Sequence, residues 1–192
     1  MPLLASTEIL RRSPSRVLVA GTSGSGKTTL AAAIAGVLGI PHVEIDALYH
    51  GPHWVPRPTF AADVRGFSSG PAWVTEWQYG QVRAVLAERA DLVVWLDLPR
   101  GTVMRQVVSR TLRRRWLRQP LWNGNVEPAL WTVLHDHEHI VRWAWTTHAR
   151  TAGRVHELAS RRPALPIVRL RSHREANRWL AGALAVTARD RP

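Results

Sequence analysis

Gly21-Thr22-Ser23-Gly24-Ser25-Gly26-Lys27-Thr28 satisfies every fixed position of G-x-x-x-x-G-K-[ST]. Glycines at these positions let the backbone bend so that successive N–H groups point inward at phosphate oxygens. Lys27 is placed to reach the β- and γ-phosphates of a nucleoside triphosphate, and the Thr28 hydroxyl to ligate Mg²⁺. Thr29 continues the cradle into the following helix. Of the 26 basic residues, 25 are arginine, and the one lysine is Lys27. A compact ammonium is kept at the one place where a point charge must fit among phosphates. The same count excludes the Asn-Lys-x-Asp element that Ras-type GTPases use to read guanine, so the loop is read as a site for ATP, with another nucleoside triphosphate as the alternative.

Three carboxylates follow apolar runs: Asp46 after Val43-Glu-Ile45, Glu76 after Trp73-Val-Thr75, and Asp97 after Val93-Val-Trp-Leu96. In open α/β sheets ligands bind beyond the carboxyl ends of the strands, so acids there have access to the site. Glu76 or Asp97 is expected to hold Mg²⁺, directly or through water. Asp46 is expected to accept the proton of an attacking hydroxyl.

Charge is distributed unevenly. Residues 1–99 carry eight basic and eight acidic groups, whereas residues 100–192 carry eighteen arginines against six acids, which accounts for the whole net charge of +12. Such a field implies an anionic partner, a phosphate-rich small molecule or nucleic acid. Arg105, Arg110, Arg113, Arg114, Arg115 and Arg118 form a basic stretch without an intervening acid, read as a lid (about 113–130) that closes over phosphates and excludes water. The rival reading lays this stretch along a nucleic-acid backbone, with Trp116 and Trp122 as stacking platforms. His135 and His139 are four apart, but without H-E-x-x-H or a third ligand they read as helix-surface histidines.

The elements that must position these groups alternate. Strands are expected at 16–20, 42–45, 72–76, 92–97 and 166–170. Helices are expected at 27–38, 59–67 (with Thr59 as a candidate cap), 82–89, 102–112 and 130–161 (with Gly153 as a candidate break), with a last one capped by Ser172. The stretch from Asp46 to Pro58 reads as a Pro/Gly/aromatic loop. This alternation predicts an α/β fold of three layers, α/β/α, around a five-stranded parallel sheet. Residues 1–15 read as a flexible, frayed leader, 16–185 as one domain and 186–192 as a tail. Trp73, Trp95, Trp143 and Trp179 are expected in the core, Trp54 and Trp122 against ligand. With no cysteine there is no disulfide, thiol nucleophile or Cys-ligated metal. The longest apolar run, Leu30 to Ile40, is too short to span a bilayer, and no apolar signal core opens the chain, so a cytoplasmic location without membrane contact is expected.

Several segments together resemble a known group. Beside the glycine-rich loop stand Ile45-Asp-Ala-Leu-Tyr49 with Trp54, Val94-Trp-Leu-Asp-Leu-Pro99, and Leu121-Trp-Asn-Gly-Asn125 with Glu127. Ile140-Val-Arg-Trp-Ala-Trp145 and Leu170-Arg-Ser172 complete the set. From about Arg16 to Leu180 the chain resembles small P-loop kinases of the adenylate kinase-like type, and within them the proteins labelled DNA topology modulation proteins. The resemblance implies a P-loop NTPase fold with an arginine-rich lid. It also implies transfer of the ATP γ-phosphoryl group to a nucleotide or other small acceptor. Arg110 and Arg113 to Arg115 then look like lid arginines, and Arg142 like a further phosphate contact. The chain departs from the group at Glu76-Trp-Gln-Tyr79, where Asp-Gly-Asn-Tyr is usual. The alternative class is a DNA-topology-related, nucleic-acid-binding regulator that uses ATP as a ligand or switch.

Overall fold

The computed structural model describes residues 3–116 and 140–189, except for the side chains at 111, 113–116 and 140–148. Its first element is β1 (Arg16–Gly21), whose Val17 and Val19 enter one apolar core and Leu18 and Ala20 the other. A strand buried on both faces cannot alternate apolar with polar residues, which is why it reads as an unbroken aliphatic run. β2 (Trp73–Glu76) and β3 (Leu92–Leu96) flank it, and β4 (Ile167–Leu170) pairs beyond β3, all parallel, in the order β2-β1-β3-β4. The register aligns Gly21 with Leu96 and Leu96 with Leu170, while Val19 pairs with Glu76. The end of β1 that feeds the glycine-rich loop therefore lies between Glu76 and Asp97.

Helices cover both faces. α1 (Lys27–Leu38) packs with Val17, Val19 and Val94, and is joined there by Val103 and Val107 of α5 (Arg100–Trp116) and Trp179 of α7 (His173–Trp179). Ile45 of α2 (Ile45–Tyr49), Phe60 and Val64 of α3 (Phe60–Ser68), Val82 and Leu86 of α4 (Gly80–Arg89), and Val155 and Leu158 of α6 (Ile140–Arg161) fill the other face. A π-helical turn (Leu180–Leu184) and α8 (Ala185–Arg189) end the described chain. Trp73, Trp95 and Trp179 are core residues, as expected. Ser172 caps α7 by accepting the Glu175 N–H at 3.1 Å.

Four strands, not five, form the sheet among the described residues. The strand expected at 42–45 is reduced to a single bridge, His42 to Val74, and helix begins at Ile45. Side chains of β2 take over the groups that a ladder would have used. Glu76 accepts the Ile45 N–H at 3.1 Å, and the Thr75 hydroxyl donates to the Val43 carbonyl at 2.7 Å.

The expected frayed leader is instead docked along its described part. The Leu4 N–H donates to the Ile167 carbonyl at 2.9 Å and the Leu4 carbonyl accepts from the Arg169 N–H at 3.1 Å. Leu10 is buried in the core. The open edge of β4 offers unpaired backbone groups, and this segment satisfies them. Thr59 does not cap α3 through its side chain; its hydroxyl donates to Asp63 at 2.9 Å. α6 runs through Gly153 without a break. Among the described residues no helix is long and apolar enough to cross a membrane.

Candidate active site

The loop between β1 and α1 closes on itself. The Ser25 N–H donates to the Thr22 carbonyl at 3.0 Å, and the Lys27 ammonium donates to the same carbonyl at 3.2 Å. Thr22, Ser25 and Lys27 are all buried, and the Ser25 hydroxyl has no hydrogen-bond partner among the described residues. A buried hydroxyl without a partner is costly unless a ligand completes it. Burial pulls the Lys27 ammonium below its usual value, the carboxylates of Asp46 and Glu76 oppose that, and Arg110 adds to it. Lys27, Asp46, Glu76 and Arg110 thus share one electrostatic neighbourhood, although they come from four separate segments. A phosphate group would answer both the desolvated ammonium and the Ser25 hydroxyl, so this cradle fits the triphosphate that its motif implies.

The three strand-end carboxylates are not equivalent. Glu76 is buried, its Oε2 accepting from Ile45 N–H and its Oε1 lying 3.3 Å from His42 Nε2. Burial pushes its carboxyl up, but these hydrogen bonds outweigh burial and hold it below the ordinary value of 4.5. Asp97 is engaged by an arginine: its Oδ2 accepts from Arg169 Nε at 2.7 Å and from Arg169 Nη2, while that guanidinium lies 4.8 Å from the centre of the Trp95 ring. The metal role expected of Asp97 competes with this ion pair. Asp46 lies in the first turn of α2, where its Oδ1 accepts from the Tyr79 hydroxyl at 2.6 Å and from the Gln78 amide. Its Oδ2 has no hydrogen-bond partner among the described residues. Burial and the Asp46 charge push the Tyr79 hydroxyl well above its usual value, so it remains a donor. Tyr79 Oη also lies 3.2 Å from His50 Nε2, and burial draws the His50 ring below its ordinary value.

The backbone supporting this cluster is strained. Tyr79 has φ 59° and ψ 112°, and His53 and Trp54 also have positive φ. Non-glycine residues held this way concentrate where a side chain must be aimed. Tyr49 stacks on Tyr79 with ring centres 4.0 Å apart, and Phe60 meets both edge-on.

Known proteins share parts of this fold. The model of the ATPase family associated with various cellular activities (AAA) matches residues 17–97, less than half of the chain. No curated protein sequence matches. Among solved structures, a gluconokinase from Sinorhizobium meliloti 1021 aligns over 93% of this chain and 94% of its own, at 23% identity and a TM-score of 0.54. A sugar kinase from Janibacter sp. HTCC2649 covers 90% and 98% at 23% identity with TM-score 0.48. A shikimate kinase from Bacteroides thetaiotaomicron covers 88% and 95% at 12% identity with TM-score 0.46. The chain shares the α/β fold with a parallel sheet and a P-loop.

Within this P-loop fold, Gly24 has a steric role. Its φ is +81°, and a Cβ placed there would come 2.1 Å from Val107 Cγ2 of α5. Gly24→Ala is expected to cost about 2–3 kcal/mol through left-handed strain and overpacking. By the usual scaling this lowers Tm by about 4–12 °C, which a thermal melt reads directly. At the loop's start, a Cβ on Gly21 would meet Ser25 Oγ at 2.6 Å.

Thr28 is half-buried at the start of α1, next to Lys27, while Thr29 is exposed. The charge of Arg110 acts on Lys27. Arg113, Arg114 and Arg115 lie in α5, and Arg142 in α6, but their side chains are outside the described residues. Arg118, Trp122, the 121–127 motif, His135 and His139 lie outside them altogether. No group of three His, Asp or Glu side chains able to hold a metal occurs among the described residues. The sequence reading missed Gln78, Tyr79 and His50 as partners of Asp46, although Gln78 and Tyr79 stand at the departure from the usual Asp-Gly-Asn-Tyr.

Glu76 carries a prediction of its own. Its folded value lies below 4.5, so its contribution to stability is full above 4.5 and disappears as pH falls through the folded value. Glu76→Gln keeps an acceptor for Ile45 N–H but loses the charge. Urea unfolding is expected to show a deficit of about 1–3 kcal/mol at pH 7 that closes in acid.

Proposed function

We propose that the protein is an ATP-dependent phosphotransferase that moves the γ-phosphoryl group of ATP to a hydroxyl of a small acceptor. One observation carries the reading: Asp46, whose Oδ2 has no hydrogen-bond partner among the described residues, lies in the electrostatic neighbourhood of the buried Lys27 at the end of the P-loop. The acceptor O–H gives its proton to Asp46 Oδ2 as the oxygen forms its bond to γ-phosphorus. The bond from γ-phosphorus to the bridging oxygen breaks, and ADP leaves with that electron pair. The backbone from Gly21 through Gly26 holds the triphosphate, with Thr28 and Thr29 at the helix start. Lys27, Arg110, Arg113, Arg114 and Arg142 neutralise charge gathering on the phosphates. Mg²⁺, when bound, would offset the charge on the phosphates. Thr28 would hold it, with Glu76 or Asp97 acting through water.

The kinase-like fold, shared with a gluconokinase, supports this reading. The adenylate kinase-like resemblance and its topology modulation group are compatible with it, as is action in the cytoplasm. The nucleic-acid reading rests on the net charge, the arginine stretch and Trp116 and Trp122, whereas the charge of Arg110 acts on Lys27 in the P-loop, where a bound triphosphate would draw on both. The test is ADP formation from ATP and Mg²⁺ against a panel of nucleoside monophosphates, nucleosides, sugar acids and polyols. Acceptor-dependent ADP supports the proposal. ATP binding without it for any acceptor, together with salt-dependent DNA binding, overturns it in favour of the regulator.

A further inference from the structure

Resting on that reading and deepening it, we propose that Arg83 and Arg154 together form a receptor for an anionic group of the acceptor, a carboxylate or a phosphate. The two guanidiniums come from different helices, α4 and α6. They are close enough for the charge of Arg154 to act on Arg83. No carboxylate pairs with either among the described residues. Arg83 Nε is shut off from solvent and makes no hydrogen bond there. Burial first, and then the Arg154 charge, draw the Arg83 guanidinium below its usual value. Two like charges with an unused buried donor between helices form a site that an oxyanion completes, since a guanidinium offers parallel donors matched to carboxylate or phosphate.

The position of the pair suits an acceptor. The Arg83 N–H donates to the Tyr79 carbonyl at 3.1 Å, so Arg83 stands one turn below the residue whose hydroxyl holds Asp46. Past the end of α6, Arg162 donates to the carbonyls of Ala87, Glu88 and Ala90, which fixes the last turn of α4 beside it. Both helices run away from the P-loop end of the sheet. Arg154, about 12 Å along α6 before Arg162, and Arg83, about 7.5 Å before Glu88, are thereby drawn to the same end as Asp46. The pair is separate from the P-loop cradle, so an acceptor anchored by its anion can present a hydroxyl at Asp46 while ATP occupies the loop.

The test fills the loop first. With the protein saturated by a non-hydrolysable ATP analogue and Mg²⁺, inorganic phosphate and malonate are titrated by calorimetry. One of them is expected to bind the wild type, and Arg83→Gln and Arg154→Gln each to weaken that binding at least tenfold without changing analogue affinity. Arg178→Gln, an exposed arginine on α7, is expected to leave it unchanged. A preference for phosphate points to a phosphorylated acceptor, and one for malonate to a carboxylated acceptor. If neither anion binds with the loop filled, or if both variants bind like the wild type, the receptor is wrong. Failure of the phosphotransferase reading would show separately, as the absence of acceptor-dependent ADP across the panel.

Discussion

Lys27→Met is expected to lower acceptor-dependent ADP formation by about 10²–10³-fold or more, the cost of removing one preorganised charge from a site where charge develops. Methionine has nearly the length of lysine and is apolar, and the stem it replaces is already buried. In the free protein the ammonium donates to its own loop, at the Thr22 carbonyl, and burial disfavours its charge. Little folded-state stability depends on it, so the melting temperature should stay near that of the wild type. Arginine is not expected to rescue activity. A planar guanidinium fork does not reproduce the compact point charge that this loop presents. Turnover of Lys27→Met within about threefold of wild type, against the loss expected for a preorganised charge, would mean that phosphoryl transfer does not pass through this loop.

What the sequence made legible follows the range of the forces involved. The phosphate loop is local: glycine conformations, a helix start and one lysine lie within eight residues, and each can be inferred from its neighbours. The strands were legible because both faces of β1 and β3 are buried, which leaves an aliphatic run that no helix surface would show. The failed second strand turned on a long-range event, the Glu76 carboxylate capturing the Ile45 N–H from 31 residues away. The docked leader likewise depends on the open edge of β4, at the far end of the chain. The acceptor side was the least visible. Asp46 could be nominated from its place after an apolar run. Its partners Gln78 and Tyr79 lie 32 and 33 residues off and are aimed by a positive φ at Tyr79 that no composition rule anticipates. Arg83 and Arg154 each look like one more solvated arginine in a chain of 25.

Asp46→Asn is expected to reduce kcat by about 10²–10⁴-fold, the range for losing a positioned general base. The substitution is a narrow one. The asparagine side chain retains an Oδ1 that can accept from Tyr79 and Gln78, so α2 and the strained Tyr79 keep their anchor. What changes is the second atom, where an amide that donates replaces a carboxylate oxygen that accepts. Affinity for the ATP analogue should hold within a few-fold, because Asp46 reaches Lys27 through its charge and not by a direct hydrogen bond. Tyr79→Phe separates orientation from proton transfer. It removes one bond to Oδ1 and leaves Oδ2 chemically intact, so its loss should be smaller than that of Asp46→Asn. A raised KM with kcat preserved in Asp46→Asn would assign Asp46 to binding the acceptor and not to taking its proton. The Asp46 Oδ2 would then mark where the acceptor is held, and the base would have to be sought elsewhere.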